Sequence, residues 1–154
     1  MKKIIFFALL QLFFYSYSFS QTTKNTSSKN NNIDGHPSWI TQGNIYEVNV
    51  RQYTPEGTFT AFAKHIERLK KMGVQTIWFM PINPISKVDR KGSLGSYYAV
   101  SDYTAINPEF GTFSDFKKVV KQIQDKGMKV IIDWVPNHTG GDNRWLTEIG
   151  RAHV

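Results

Sequence analysis

Asp133, Asn137 and His138 lie within six residues of one another and directly follow the apolar run Val130-Ile131-Ile132. Three polar groups of different chemistry therefore emerge at the carboxyl end of a strand and onto its loop. A carboxylate there can orient a cation or a guanidinium, an amide oxygen can ligate a hard cation such as Ca²⁺, and an imidazole can donate to a substrate hydroxyl. Each also has a plainer use. Asp133 can cap a turn, Asn137 can fix the loop backbone, and His138 can be structural. Asn137-His138-Thr139 also reads as a glycosylation sequon, a weak signal on its own.

A second group lies upstream. About 30 residues between Met80 and Gly111 show no convincing periodicity of their own, and a loop of that length in a compact domain is usually functional or misassigned. It holds Asn83, Asp89, Arg90, the stretch Gly92-Ser93-Leu94-Gly95-Ser96, then Tyr97, Tyr98, Asp102, Tyr103 and Asn107. Flat aromatic faces beside amides and carboxylates suit sugar rings, whose axial hydrogens stack while their hydroxyls hydrogen-bond. With no cysteine, a disulfide framework, a thiolate zinc site and a cysteine nucleophile are excluded. No G-x-G-x-x-G follows the first strand and no G-K-[ST] occurs, which argues against dinucleotide and P-loop phosphate binding.

The elements that must position these groups form a β/α repeat. Ile45 to Val50 has the β-branched and aromatic content of a strand. After a turn at Pro55-Glu56-Gly57, the residues Phe59, Phe62, Ile66 and Leu69 fall on one face of a helix capped by Thr58 and ended by Gly73. Thr76 to Met80 is an apolar strand without alternation, the pattern of a parallel strand covered on both faces.

The phrase then returns 54 residues later: Gly111-Thr112-Phe113 repeats Gly57-Thr58-Phe59, Phe116, Val120 and Ile123 repeat the helix face, and Gly127 repeats Gly73. Asp115 stands at capping-box spacing from Thr112. The β-α-β-α-β order fits both doubly wound sheets and (β/α)₈ barrels, and periodicity does not choose between them. The long loop leaving the carboxyl end of the second strand sits where barrels build their active sites.

Asp133 to His138 resembles the first signature region of the α-amylase family of glycoside hydrolases, D-x-V-x-N-H. Ile45-Tyr46-Glu47-Val48, Tyr98 to Tyr103 and Asn107 to Thr112 are similar to that family's other N-terminal blocks, in order and at correct spacing from about Trp39 to Trp145. The resemblance implies an α/β fold, the first three or so β/α units of a (β/α)₈ barrel, incomplete in 154 residues because a whole barrel needs about 250. It implies an α-glucan substrate, most simply the α-1,4 links of starch and maltodextrin. It also implies retaining hydrolysis by two carboxyl groups about 5–5.5 Å apart.

Carried over by position, Tyr98 stacks on the sugar at the cleavage subsite, His138 hydrogen-bonds a hydroxyl of that sugar, and Asp133 holds an active-site arginine. Asn137 matches the family's calcium-ligand position, though not every member binds calcium. Where many members have His-Gly-Tyr or Asn-Gly-Tyr, this chain has Leu94-Gly95-Ser96-Tyr97-Tyr98, and the spacing to Asp102 selects Tyr98. In the family the nucleophile and the acid/base come from strands four and five. No carboxylate of this chain is therefore assigned to catalysis, and the chain is expected to be an inactive fragment. Other members remain open on this reading: an α-glucosidase, a cyclomaltodextrinase, a trehalose-forming transglycosylase, or a barrel without catalysis that binds carbohydrate or a partner.

The N-terminus reads as an address. Lys2-Lys3, the apolar run from Ile4 and the small residues Ser18 and Ser20 make residues 1–20 a cleaved secretory signal peptide, too short to leave a stable membrane span. The expected location is secreted or periplasmic. Residues 21–35 read as a disordered polar linker, with folded structure starting near His36 and the barrel part spanning 36–148. Residues 149–154 back-translate to resemble a sequencing-adapter sequence and are expected to be a non-native tail.

The charge of +7 falls to +5 without Lys2 and Lys3. Lys64, Arg68, Lys70, Lys71, Lys117, Lys118 and Lys121 fall on the outer faces of two helices. No basic cluster adjoins an aromatic platform, so nucleic acid is not an expected partner.

Overall fold

The computed structural model describes residues 32–33, 35–41 and 43–149. The signal segment, most of the polar linker and residues 150–154 lie outside the described residues. The chain divides into two compact units, one ending at Thr41 and one beginning at Gln42.

In the first unit, β1 (Asn32–Ile33) pairs antiparallel with β2 (His36–Pro37), with Asn32 opposite Pro37. The short helix α1 (Ser38–Thr41) follows, and the Thr41 hydroxyl donates to the Ser38 carbonyl at 2.8 Å. Strand pairing thus reaches into the stretch read from sequence as linker.

The second unit carries a parallel sheet of β3 (Ile45–Val48), β4 (Thr76–Phe79) and β5 (Lys129–Ile132), adjacent in that order. Its register aligns Val48, Phe79 and Ile132 in one row. Strand residues alternate between faces, so Val48, Ile77 and Phe79 share one face, and all three are fully buried. The crossover helices cover that face: α3 (Phe59–Ala63) and α4 (Ile66–Lys71) between β3 and β4, and α5 (Phe113–Asp125) between β4 and β5.

Phe79 lies at the centre of this core, with ring centroids 5.3 Å from Phe62, 5.7 Å from Phe116 and 6.4 Å from Phe59. Burying each such ring contributes roughly 1.5–3 kcal/mol, with more from edge-on ring contacts. The opposite face carries Glu47, Trp78 and Ile131 in one row. Ile131 and Ile45 stay exposed there at 41% and 59%.

Local chemistry accounts for the boundaries. Thr112 accepts from the Asp115 amide while the Asp115 carboxylate accepts from the Thr112 amide, the capping box expected from spacing. Thr58 caps α3 by accepting from the Ala61 amide. The helix expected from Thr58 to Gly73 is, however, two helices. The Lys64 and His65 amides donate to Ala61 and Phe62, three residues back, and the four-residue pattern resumes with the Leu69 amide on His65. The backbone stays right-handed through this tight turn, so Phe62, Ile66 and Leu69 keep one buried face.

The first strand is also shorter than its sequence suggests. Asn49 leaves the ladder and caps a turn of helix, α2 (Val50–Tyr53), by accepting from the Gln52 amide at 3.4 Å. At the other end of the sheet, Asn44 donates to the Gly73 carbonyl and accepts from the Gln75 amide, locking β3 to β4. All seven basic residues placed on outer helix faces are exposed. Among the described residues no helix is long and apolar enough to cross a membrane.

Candidate functional site

The ladder continues one residue past β4 and β5: the Met80 amide donates to Val48 and the Asp133 amide to Phe79. Asn49, Met80 and Asp133 therefore form the top row at the carboxyl end of the sheet. The chain leaves β4 here and returns through a loop closed by a bridge between Ile85 and Val100. Arg90 braces it from inside, donating to the carbonyls of Ser86 at 2.8 Å and Ile85 at 2.9 Å. Gly95, at φ +69°, fits against this brace, where a Cβ would lie 2.9 Å from Ile85 and 3.0 Å from Arg90.

The returning loop lays its two adjacent tyrosines on the top row. Tyr97 donates to Asn49 Oδ1 at 2.9 Å, and Tyr98 donates to Asp133 Oδ2 at 3.0 Å. Tyr97 is half-buried against the core, whereas Tyr98 is 37% exposed. Burial, the hydrogen bond to Asp133, and the negative charges of Asp133 and Glu47 raise the Tyr98 phenol above the usual tyrosine range. Tyr98 thus stays a neutral donor and remains partly exposed.

His138 and Asn137 are exposed. Both line a cleft of about 450 Å³ together with Trp134, Asn143 and Trp145. A second cleft, about 300 Å³, is lined by Asp133, Asn83, Thr104 and Phe113. Tyr103 and Trp134 line both. The Tyr103 hydroxyl reaches the carbonyls of Val135 at 2.7 Å and His138 at 2.8 Å, and its ring stacks on Trp145 at 5.1 Å. Tyr98 and Asp133 are therefore in direct contact, while His138 is tied through its main chain to Tyr103.

Calcium requires six to eight oxygen ligands, several of them carboxylates. The cleft around Asn137 is lined by no carboxylate, and no cluster of three acidic, histidine or cysteine groups exists among the described residues.

Other polar residues of the loop serve the backbone. Asn83 donates to the carbonyls of Asp102, Tyr103 and Ala105. Asn107 is buried and accepts from the Glu109 amide. Asp102 accepts from the Thr104 hydroxyl and amide, which together hold its carboxyl below the usual aspartate range. The Val100 carbonyl receives the Gly140 amide, the Thr139 hydroxyl and the Asn143 amide group, joining the loop to the segment after His138.

Sequence reasoning did not single out Asn49, Arg51 or Glu109. Arg51 pairs with Glu109 at 3.0 Å and lies 4.6 Å above the Tyr97 ring. In the sequence Asn49 falls within the strand Ile45 to Val50 and Glu109 within the block Asn107 to Thr112, neither with a role, and no signal marks Arg51.

Comparison with known proteins places this geometry in a family. The family described as alpha amylase, catalytic domain, matches residues 13–153. An alpha-amylase from Lactobacillus plantarum has the same fold over 70% of this chain and 26% of its own, at 46% identity and a TM-score of 0.68. A trehalose-6-phosphate hydrolase from Escherichia coli is 34% identical over 73% of this chain and 20% of its own length. Maltase A1 from Drosophila melanogaster is 31% identical over 74% and 20%. The chain spans about a fifth to a quarter of these relatives. It belongs to the alpha-amylase family of glycoside hydrolases, and its described residues are an opening portion of that family's (β/α)₈ barrel.

Proposed function

We propose that this chain supplies the first wall of the sugar-binding site in a secreted or periplasmic glycoside hydrolase that cleaves α-1,4 links of starch and maltodextrin with retention. The single observation that supports this most is the Tyr98–Asp133 hydrogen bond. It holds a partly exposed aromatic residue at the carboxyl end of a parallel sheet, beside a carboxylate already oriented by a donor.

In this reading Tyr98 stacks on the sugar at the cleavage subsite, His138 donates to one of its hydroxyls, and Asp133 uses its remaining acceptor capacity on an arginine from a neighbouring strand. The nucleophile and the acid/base lie outside the described residues, so the chain by itself binds but does not hydrolyse. Asn137 supplies at most one oxygen to a calcium site completed elsewhere. The relatives named above differ by name, as an alpha-amylase, a trehalose-6-phosphate hydrolase and a maltase.

The test is reducing-sugar release from soluble starch by protein expressed from the intact source gene, with this chain alone as comparison. Hydrolysis by the first and none by the second is expected. Activity confined to trehalose 6-phosphate or to disaccharides would replace the starch reading with another member's. Absence of activity on every α-glucoside would leave a binding barrel.

A further inference from the structure

We propose that Asn49 and Arg51, at the carboxyl end of β3, are positioning residues for Tyr98: they clamp Tyr97, and so fix the neighbouring phenol against Asp133. The inference deepens the sugar-site reading, since its importance for binding rests on Tyr98 contacting the sugar.

Three observations carry it. First, Tyr97 is held from two directions. Its hydroxyl donates to Asn49 Oδ1 at 2.9 Å, and the Arg51 guanidinium lies 4.6 Å over its ring, a cation–π contact. Second, the clamp is itself immobilised. Arg51 has only 15% side-chain exposure and pairs with Glu109 at 3.0 Å, while Asn49 is fixed by capping α2. Gly57, at φ +62°, packs so closely that a Cβ there would stand 2.9 Å from the Arg51 carbonyl.

Third, Tyr98 has few tethers of its own. It is partly exposed, and its hydrogen bonds are the phenol bond to Asp133 and an amide bond to the Ser96 hydroxyl in the same loop. Successive Cα atoms are 3.8 Å apart, so a Tyr97 released from its clamp carries Tyr98 with it. The two tyrosines divide the labour: one anchors on β3, the other presents its ring beside β5, and β4 lies between them.

The experiment reads the Tyr98–Asp133 contact directly. In the full chain with ¹³C-labelled tyrosine rings, the Tyr98 resonance is assigned with Tyr98→Phe and titrated with and without Asp133→Asn. The difference measures the coupling between phenol and carboxylate. The same pair is then measured in Tyr97→Phe, Asn49→Ala and Arg51→Met, each checked for folding by circular dichroism. Tyr97→Phe keeps the ring and the α2 cap and removes only the anchoring hydroxyl.

The expected result is a coupling that falls about threefold or more in each clamp variant and returns with Arg51→Lys, as coupled groups require. Undiminished coupling in folded Tyr97→Phe overturns the proposal. Maltoheptaose binding by Tyr98→Ala tests the sugar reading separately. If that variant binds as wild type while the coupling collapses in Tyr97→Phe, the positioning role stands and the sugar role of Tyr98 falls.

Discussion

The phenol of Tyr98 and the carboxylate of Asp133, 35 positions apart in sequence, meet at 3.0 Å above the carboxyl end of the sheet. The contact joins the loop that leaves β4 to the residue that follows β5. Neither strand alone makes this wall, because strand side chains stand roughly perpendicular to the sheet rather than over its end. The loop supplies the ring and the strand supplies the charge that orients it.

That contact has a pH signature. Burial first, then the hydrogen bond and charge of Asp133, favour the neutral phenol, so the folded chain titrates Tyr98 above the unfolded chain. The resulting stabilisation is fully present below the unfolded tyrosine pKa and is lost as pH rises through the higher folded value. Asp133→Asn removes the charge, and Tyr98 is expected to titrate nearer the ordinary tyrosine range, read by ultraviolet absorbance. A titration unchanged by Asp133→Asn would show that the two groups do not meet in solution.

The two helix caps are expected to differ in strength. Thr112 and Asp115 exchange three hydrogen bonds, the two of a full capping box and one between their side chains, whereas Thr58 accepts from the Ala61 amide and shares one further bond with the Thr60 hydroxyl. Thr112→Ala should lower stability by about 1 kcal/mol, and Thr58→Ala by less. Urea unfolding of the two variants side by side checks the order, and equal midpoints would refute it.

Gly140 is a packing requirement rather than a backbone one. A Cβ there would lie 2.3 Å from the Ser86 Cβ, at the place where the segment after His138 docks on the Ile85–Val100 bridge. Gly140→Ala is expected to cost about 1–3 kcal/mol by overpacking. Ser86→Gly in the same chain removes the opposing Cβ and should recover most of the loss, whereas Ser86→Ala should not. Thermal melts of the single and double variants decide this, and no recovery in the glycine double would place the strain elsewhere.

What was legible in the sequence was what repeats or alternates. The return of Gly-Thr-Phe marked the start of both crossovers, and Phe59, Phe62, Ile66, Leu69, Phe116 and Ile123 lie in the core. Asn49 shows where such reading stops. Its neighbours favour a strand, but its side chain captures the Gln52 amide and turns the chain into α2. Tyr97 and Tyr98 are chemically identical neighbours, separated only by the partners that the fold brings to each. Tyr103 acts on the carbonyls of Val135 and His138, and main-chain acceptors leave no mark on composition.

The β5 side of the sheet makes the last prediction. Among the described residues β5 pairs only with β4, and its outer edge lies beside Ile132, Phe113 and Trp134, exposed at 44%, 64% and 73%. A groove of about 540 Å³ lined by Phe113, Val120, Val130 and Ile132 runs along it. An unprotected edge next to contiguous apolar surface is a template for pairing with another chain. This chain alone is therefore expected to associate as its concentration rises, seen as growing mass in light scattering. Ile132→Lys places a charge on that edge and should shift the distribution toward monomer, while Ile45→Lys, on the far strand, should not. Association insensitive to Ile132→Lys would move the sticky surface away from β5.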